Sequence, residues 1–510
     1  MKTLRLILGD QLNIKHSWLR NTDDSVVYCM FEMRQETDYT YHHIQKAAAF
    51  FAAMRRFARQ LERDGHKVVY YKLDAKENKQ KLTENVRFLI DKHNIEKFEY
   101  QLPDEYRLDE QLKNFCADID IETEAFDTEH FYTSRNELEE FFKGKKQLLM
   151  ENFYRYMRKK HDILMEGTNP EGGKWNYDEK NRNKWNAEDT VPEKPDFNHD
   201  VKDIISLLEK QGVKTMGRAG SGSINQPLTR KEALELLKFF CQKLLLHFGD
   251  YQDAMHTEET TLFHSQLSFA INAKIISPRD VVTTVHNYYH KHRSDINISE
   301  AEGFIRQIIG WREYMRGIYW MHMPGYKREN FFNNKNKLPD FYWTAKTKMN
   351  CLKHSVNNSL DTAYAHHIQR LMVLGNFALL IQADPDEVDE WYLGVYVDAV
   401  EWVQLPNTRA MSQFADGGIV ATKPYISSAN YINNMSNYCI NCSYNHKTRT
   451  EEDSCPFNSL YWNFLHDKKK LLEHNPRMAF MYKQLDKIKP EEIELILKRA
   501  DKIISAPDDF

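Results

Sequence analysis

Residues 44–73 read IQKAAAFFAAMRRFARQLERDGHKVVYYKL. The first twenty, 44–63, carry apolar side chains at helical spacing. Asp64-Gly65 then breaks the helix, and 67–73, KVVYYKL, has the β-branched and aromatic content of a strand. The same grammar extends to both sides. Upstream, Thr3–Leu8 and Val26–Phe31 are short apolar runs, the first ending at Gly9-Asp10. Downstream come a helix near 81–93, a strand near 98–102, a helix near 107–117 and a strand near 119–125. Strands alternating with helices over residues 1–130 predict an α/β domain, a parallel sheet with helices on both faces. No G-x-G-x-x-G follows the first strand, so the standard dinucleotide fingerprint is absent. A ligand of such a sheet is still expected beyond the strand C-termini.

Beyond residue 230 the pattern changes. The segments 231–249, 304–320, 361–383 and 490–504 read as helices, with no alternating strand between them. Residues 231–510 are expected to form a large all-α domain. Residues 131–230 form a connection. It holds a basic stretch, Lys143, Lys145, Lys146, Arg155, Arg158, Lys159 and Lys160 against Glu151, and a Gly- and Asn-rich stretch (169–186) with Trp175, Tyr177 and Trp185. Long segments of this kind are usually functional or disordered, and these aromatics predict packing.

The 510 residues carry 70 Lys and Arg against 74 Asp and Glu, a net charge of −4. That excludes a chain that coats nucleic acid by bulk charge, and it leaves room for a local basic face. No apolar run approaches the ~20 residues of a membrane helix. The N-terminal MKTLRLILGDQLN meets Asp10 too early for a signal peptide, so a cytoplasmic protein is expected. Seven Cys is too few, and odd, for a disulfide framework. The unusual counts are aromatic: 28 Phe, 27 Tyr and 9 Trp.

Several constellations carry possible chemistry. Cys439-x2-Cys442 is followed by Cys455-Pro456, with Cys351 far upstream. Four thiolates suit Zn²⁺ or an iron–sulfur cluster, and spacing alone does not separate the two. Cys29, Cys116 and Cys241 sit in apolar runs and read as packing residues. His366-His367 stand in what reads as an apolar helix, where neighbours point about 100° apart. A carbonyl-bonded structural His is the commoner case there, and a general acid the sharper one. Segment 391–429 mixes Asp398, Glu401, Gln404, Asn407, Arg409 and Asp416 with Gly417-Gly418, beside Trp391, Tyr392, Trp402, Tyr425 and Tyr431. That density suits a binding loop for a large ligand, with packing as the ordinary alternative for each residue. HSQLSFAINAKIISP (264–278) offers Ser265 and Ser268 near a helix start, a place where phosphate can bind. Trp311, Arg312 and Arg316 share one helix, whose default reading is a surface.

Taken together, these stretches resemble the photolyase/cryptochrome family over nearly the whole chain. LGDQL (8–12) is similar to the family's first strand and antenna loop, 264–278 to its flavin phosphate segment, and FIRQIIGWREY (304–314) to its flavin-binding helix. The four cysteines, His366-His367 and WVQLPNTRAMSQFADGG (402–418) match its bacterial iron–sulfur branch, which includes the prokaryotic (6-4) photolyases. The resemblance implies a Rossmann-like antenna domain and an all-α FAD-binding domain. It implies a 4Fe–4S cluster on Cys351, Cys439, Cys442 and Cys455. FAD contacts are implied at His264, Ser265, Gln266, Leu267, Ser268, Trp311, Arg312, Asp398, Glu401 and Asn407. The antenna pigment, 6,7-dimethyl-8-ribityllumazine, is expected against Asp10, Gln11, Leu12, Glu32 and Glu36.

The implied activity is light-driven repair of (6-4) pyrimidine–pyrimidone lesions in UV-damaged DNA, by electron transfer from reduced flavin. His366, or else His367, is the expected proton donor, and Gln404 is placed near flavin N5. Trp391, Tyr392 and Trp343 are the implied electron relay. Tyr425 and Tyr431 are expected to stack on the lesion, which must be flipped out of the duplex. Lys174 and Arg182 of the connection are candidate DNA contacts. A monomer without membrane contact is expected. Two other readings compete: a cryptochrome-type photoreceptor with the same cofactors, and a non-catalytic, zinc-stabilised helical nucleic-acid-binding protein.

Overall fold

The structure is a computed structural model that describes residues 1–177, 179, 183–187 and 190–510; Arg182 lies outside them. The N-terminal part alternates β1 (Thr3–Leu6), β2 (Val26–Phe31), α1 (Ile44–Arg63), β3 (Lys67–Tyr71), α2 (Leu82–His93), β4 (Lys97–Gln101), α3 (Tyr106–Ala117) and β5 (Glu122–Phe126). The five strands are parallel in the order β3-β2-β1-β4-β5. The order reverses beside β1, so the loops after β1 and β4 diverge there and open a crevice at the strand C-termini.

The two sheet faces differ. Leu4, Leu6, Leu8, Cys29 and Phe31 pack with Leu82, Val86, Leu89, Leu108 and Leu112 of α2 and α3 in a small core. The opposite face, with Ile7, Val26, Tyr28 and Met30, packs under α1, and that core runs on without a break into the helical part. The Ala-rich α1 allows this, because Ala47, Ala48, Ala49, Ala52 and Ala53 are all buried and let neighbouring backbones approach. Lys46 of α1 donates from Nζ to the carbonyls of Leu393 (2.6 Å) and Ala399 (2.8 Å).

The connection contains helices at Glu137–Phe142, Met150–His161 and Lys202–Lys210. Arg158 of its basic stretch is fully buried and donates to the carbonyls of Ile163, Leu164 and Trp175, so it holds the fold and offers no charge to a partner. Trp175 is ringed by the cations of Arg155, Arg158 and Lys159 at 5.2–5.5 Å.

The second half is helical, as its periodicity predicts, but four of its helices contain π-helical turns: Phe240–Leu244, Arg306–Arg312, Gln369–Gly375 and Pro406–Ser412. Such turns re-aim side chains and recur at functional sites. Segment 361–383 is not one helix. The helix Asn350–Thr362 ends at Ala363 in left-handed conformation (φ 53°), and the next helix begins at His367. His366 therefore stands in a loop, not on an apolar helix face. Arg312 and Arg316 correct a second expectation: both are buried, over the Phe131 ring at 5.3 and 3.7 Å.

Candidate functional site

The crevice at the strand ends is a cavity of about 1070 Å³, measured out to its mouth. Its floor is Leu6–Asp10 and its walls include Phe31, Met33, Phe50, Phe51 and Met54, with Ala399–Trp402 closing it from the helical part. Polar groups converge at a few points. Lys274 Nζ, buried, lies 2.9 Å from Asp10 Oδ2 and 2.9 Å from Asp104 Oδ2. Burial alone would raise the Asp104 carboxyl, but Lys274, Arg316 and Arg135 outweigh it and hold it below its ordinary range. Arg107 binds Glu36 (2.9 Å) and Glu105 (2.6 Å). Burial, then the nearby carboxylates of Glu36 and Glu401, push Glu105 upwards against Arg107. Burial drives Lys46 down to about 7 and His42 well below its ordinary value. His42 Nδ1 is buried without a partner. An apolar slot with a few convergent donors and acceptors, one of them orphaned, fits a flat heterocycle carrying a hydroxylated tail.

Of the expected pigment contacts, Asp10 and Glu36 line this cavity. The other three are structural. Gln11 clamps backbone, accepting from Leu8 N at 3.0 Å and donating to Gln101 O at 3.2 Å. Leu12 is buried, and its N–H donates to Ala273 O at 3.0 Å. Glu32 is fully buried and already holds Arg55 (2.6 Å), Tyr70 Oη (2.7 Å) and Leu73 N (3.0 Å). Glu401, expected at FAD, instead lines the crevice and is bonded to Tyr319 Oη (2.8 Å) and Lys327 (3.0 Å). Sequence reading missed Tyr39, His42, Lys46, Glu105 and Lys274. Lys46 did leave a signal, a lone charge in an alanine face.

A second centre lies inside the helical part. Arg312 donates to Asn272 Oδ1 (2.6 Å) and contacts His130 Nε2 (3.1 Å), and its guanidinium lies 4.5 Å over the Trp402 ring. Asn272 donates to the Asp398 carbonyl (2.6 Å), and the Asp398 carboxylate takes both arms of Arg370 (3.0 and 3.1 Å). Arg370 also sits 3.8 Å over the Tyr396 ring. Trp402 belongs to both the crevice wall and this network, so the two centres share a side chain. Its Nε1 is a buried donor without a partner, as is Arg312 Nε. Burial pushes Arg312 down to about 10. Orphaned donors and a cation beside an aromatic face suit a large anionic cofactor such as FAD.

His264 and His366 stack at 4.8 Å and 20°. His264 bonds the Gln252 carbonyl at 3.1 Å, and His366 Nδ1 is buried without a partner. Burial pushes His264 to about 3 and His367 to about 4; burial, then His264, His367 and Arg370, drive His366 well below its ordinary value. Gln404 is buried and bonded to Thr408. Asn407 donates to Val403 O at 2.8 Å. Ser265 accepts from Leu267 N at 3.4 Å, and Gln266 is held at φ 55°. Ser268 opens the helix Ser268–Asn272 that presents Asn272. Trp311 points away from Arg312, half-buried against Tyr314 at 6.1 Å. Tyr425 and Tyr431 are half-buried near Ser427–Ala429.

Trp391 is buried and meets Tyr342 (5.1 Å), Tyr392 (5.2 Å) and Tyr396 (5.9 Å). Trp343, 42% exposed, follows Tyr342 directly. Trp343, Trp391 and Tyr392, the expected relay residues, thus stand in a row of aromatic rings between the surface and Arg370, a row that also holds Tyr342 and Tyr396.

All four expected ligand cysteines line a third centre, a cavity of about 300 Å³ shared with Met349, Ile432, Tyr438 and Tyr444. Among the described residues, the one group of ligating atoms that approach within 4.8 Å of each other is elsewhere, at Glu171, His286 and His290. No three of these sulfurs come that close. Four sulfurs on one zinc ion at ~2.3 Å stand only about 3.8 Å apart. Gln369 ties this centre to the histidines: it donates to Tyr438 Oη (3.0 Å) and accepts from His366 N (3.2 Å).

Comparison with known proteins gives the family and the fold. A family model described as deoxyribodipyrimidine photo-lyase-related protein matches residues 5–222. A protein of Agrobacterium fabrum named (6-4) photolyase is 42% identical over 487 residues, 94% of this chain and 95% of its own. Among solved structures, a bacterial class III photolyase from Agrobacterium tumefaciens aligns with TM-score 0.57 at 15% identity, over 100% of this chain and 98% of its own. A cryptochrome from Synechocystis aligns with TM-score 0.53 at 13% identity, over 92% and 93%.

Proposed function

The chain belongs to the (6-4) photolyase family, and from that membership we propose that it repairs (6-4) photoproducts in DNA with light. The observation that carries the reading is the near-complete match to a named (6-4) photolyase. The buried His264–His366 stack beside the Arg312–Asn272–Asp398–Arg370 network supports it locally. FAD held at Arg312 and Asp398 would supply the light-driven electron, a ribityllumazine held at Asp10 and Glu36 would gather light for it, and Cys351, Cys439, Cys442 and Cys455 would hold a 4Fe–4S cluster that braces the C-terminal helices.

The residues have distinct tasks. Arg312 and Arg370 bring positive charge to the flavin site, and Asp398 fixes Arg370 in a fork-to-fork geometry. Gln404 and Asn407 supply amide groups on the π-helical side of that site. His366 donates a proton from its unpartnered ring edge to the lesion, and His264 holds the ring in place. Tyr425 and Tyr431 stack on the flipped bases. Trp343, Tyr342, Trp391 and Tyr392 re-reduce the site from the surface. No helix of the described residues is long and apolar enough to cross a membrane.

An oligonucleotide with one defined (6-4) lesion tests the reading. Light should restore the parent sequence with the reduced, flavin-loaded protein, and darkness should not. Intact flavin with no restoration in light would exclude repair and leave the photoreceptor reading.

A further inference from the structure

Away from these three centres, ligating side chains meet where the connection crosses the helix Pro278–Lys291. His286 and His290 stand one turn apart on that helix, and Glu171 opens the turn Glu171–Gly173 after a short hairpin. The two Nε2 atoms are 3.0 Å apart, and His290 Nε2 is 3.4 Å from Glu171 Oε2. A tetrahedral Zn²⁺ with N and O ligands at about 2.0–2.2 Å has ligand-to-ligand edges of about 3.3–3.5 Å. Two of the three separations, 3.0 and 3.4 Å, are near such edges, and all three atoms lie within 4.8 Å of one another.

One further observation points to a ligand. The Glu171 side chain is 4% exposed and the Tyr289 hydroxyl bonds its carboxylate, yet its Oε2 has no partner of good geometry among the described residues, a costly state for a buried carboxylate oxygen. The two imidazole nitrogens at 3.0 Å share one N–H in a hydrogen bond, His290 donating to His286, and a metal ion would take that proton's place. Arg293 competes: its Nη2 lies 2.8 Å from Glu171 Oε1 and 2.7 Å from His290 Nδ1. Leu164 N also reaches His286 Nε2, at 3.4 Å. Arg293 is half-exposed, so a metal ion can displace it towards solvent.

We propose that Glu171, His286 and His290 bind one divalent transition-metal ion of the zinc class, with the fourth position open to solvent and water. Two imidazoles and one carboxylate suit that borderline ion. On binding, the His290 proton moves from Nε2 to Nδ1, Arg293 releases Nδ1, and no net proton is lost from the two rings. The ion pins the connection to the helical part, because Glu171 and the two histidines lie more than a hundred residues apart in the chain.

Calorimetric titration of the full-length, flavin- and cluster-containing protein with Zn²⁺, after chelator treatment, tests this, with iron content followed to show the cluster intact. One equivalent of Zn²⁺ should bind. His290→Ala, at an exposed position, should weaken binding at least tenfold, and His286→Ala with His290→Ala should abolish that equivalent. Arg293→Ala should tighten it. Zn²⁺ should slow proteolysis within the connection of the unmodified protein and not of the double variant. Equal affinity in the double variant would overturn the proposal. So would absence of binding in the unmodified protein, even if Arg293→Ala binds, since the guanidinium would then be the native partner.

Discussion

At the residue scale, His366 is the sharpest case. Its ring is 2% exposed with Nδ1 unpartnered, and its surroundings keep it neutral near pH 7. A proton donor needs the cationic form, so repair by reduced protein should slow as pH rises between about pH 6 and pH 9, by up to about tenfold per unit. A flat profile of repair yield against pH would remove His366 as the acid. His366→Ala should keep flavin absorbance and lower repair by at least ~10²-fold; repair at the unmodified rate would do the same damage to the assignment. Lys274 gives a stability test. It holds two acidic partners, Asp10 and Asp104, with its own side chain 1% exposed. Lys274→Met should cost about 3–5 kcal/mol, read as a fall in Tm, because it leaves carboxylates buried without their cation. The pair Asp10 and Glu36 was legible in sequence, whereas Glu32 was not separable from them, because only its burial against Arg55 shows that its oxygens are already used.

At the element scale, the π-helical turns explain what periodicity could not resolve. A 3.6-residue pattern predicts a helix correctly and still misplaces side chains after an inserted residue. Arg312, Arg370 and Asn407 all lie on such turns. Two of these turns touch: a Cβ on Gly375 would stand 2.0 Å from Ser412 Oγ. Gly375→Ala should therefore lower Tm by an amount worth about 1–3 kcal/mol. An unchanged melting curve would show that the two helices separate freely. On α1, Ala47 lines the crevice. Ala47→Phe should lower the pigment-to-flavin ratio in purified protein and leave flavin content unchanged; an unaltered ratio would place the pigment elsewhere. The Cys439–Cys455 segment meets Cys351 in the thiol cavity, and Asn350 beside Cys351 donates to Tyr438 O at 2.9 Å. Cys439→Ser should yield protein that is insoluble or lacks iron by metal analysis, and soluble protein with full iron content would contradict the ligand set.

At the scale of the whole molecule, one core joins the sheet face under α1 to the helical part, so the crevice, the flavin-side network and the thiol centre are rigidly related. Trp402 links the first two and Gln369 the last two. The buried neutral histidines set an acid limit. Burial holds His43 and His367 near 4 and His264 near 3 in the folded chain, against about 6.5 when unfolded. The unfolded chain takes up these protons first, so their contribution is complete above about pH 6.5 and is lost as pH falls from there towards 4 and 3. Thermal melts should show Tm dropping steeply over that window, and a Tm constant down to about pH 4 would contradict it.

The sequence by itself determined the order of strands and helices, the break between an α/β and an all-α half, and the cysteine and histidine motifs. Those features depend on local periodicity, on turn residues and on motifs of fixed spacing, all of which are written in one dimension. Only the tertiary structure decided that His366 sits in a loop stacked on His264, that Glu401 faces the crevice and Glu32 does not, that the four cysteines line one cavity, and that Glu171 meets His286 and His290. Each of these depends on which distant segments share a wall, and that is set by burial and side-chain direction in three dimensions.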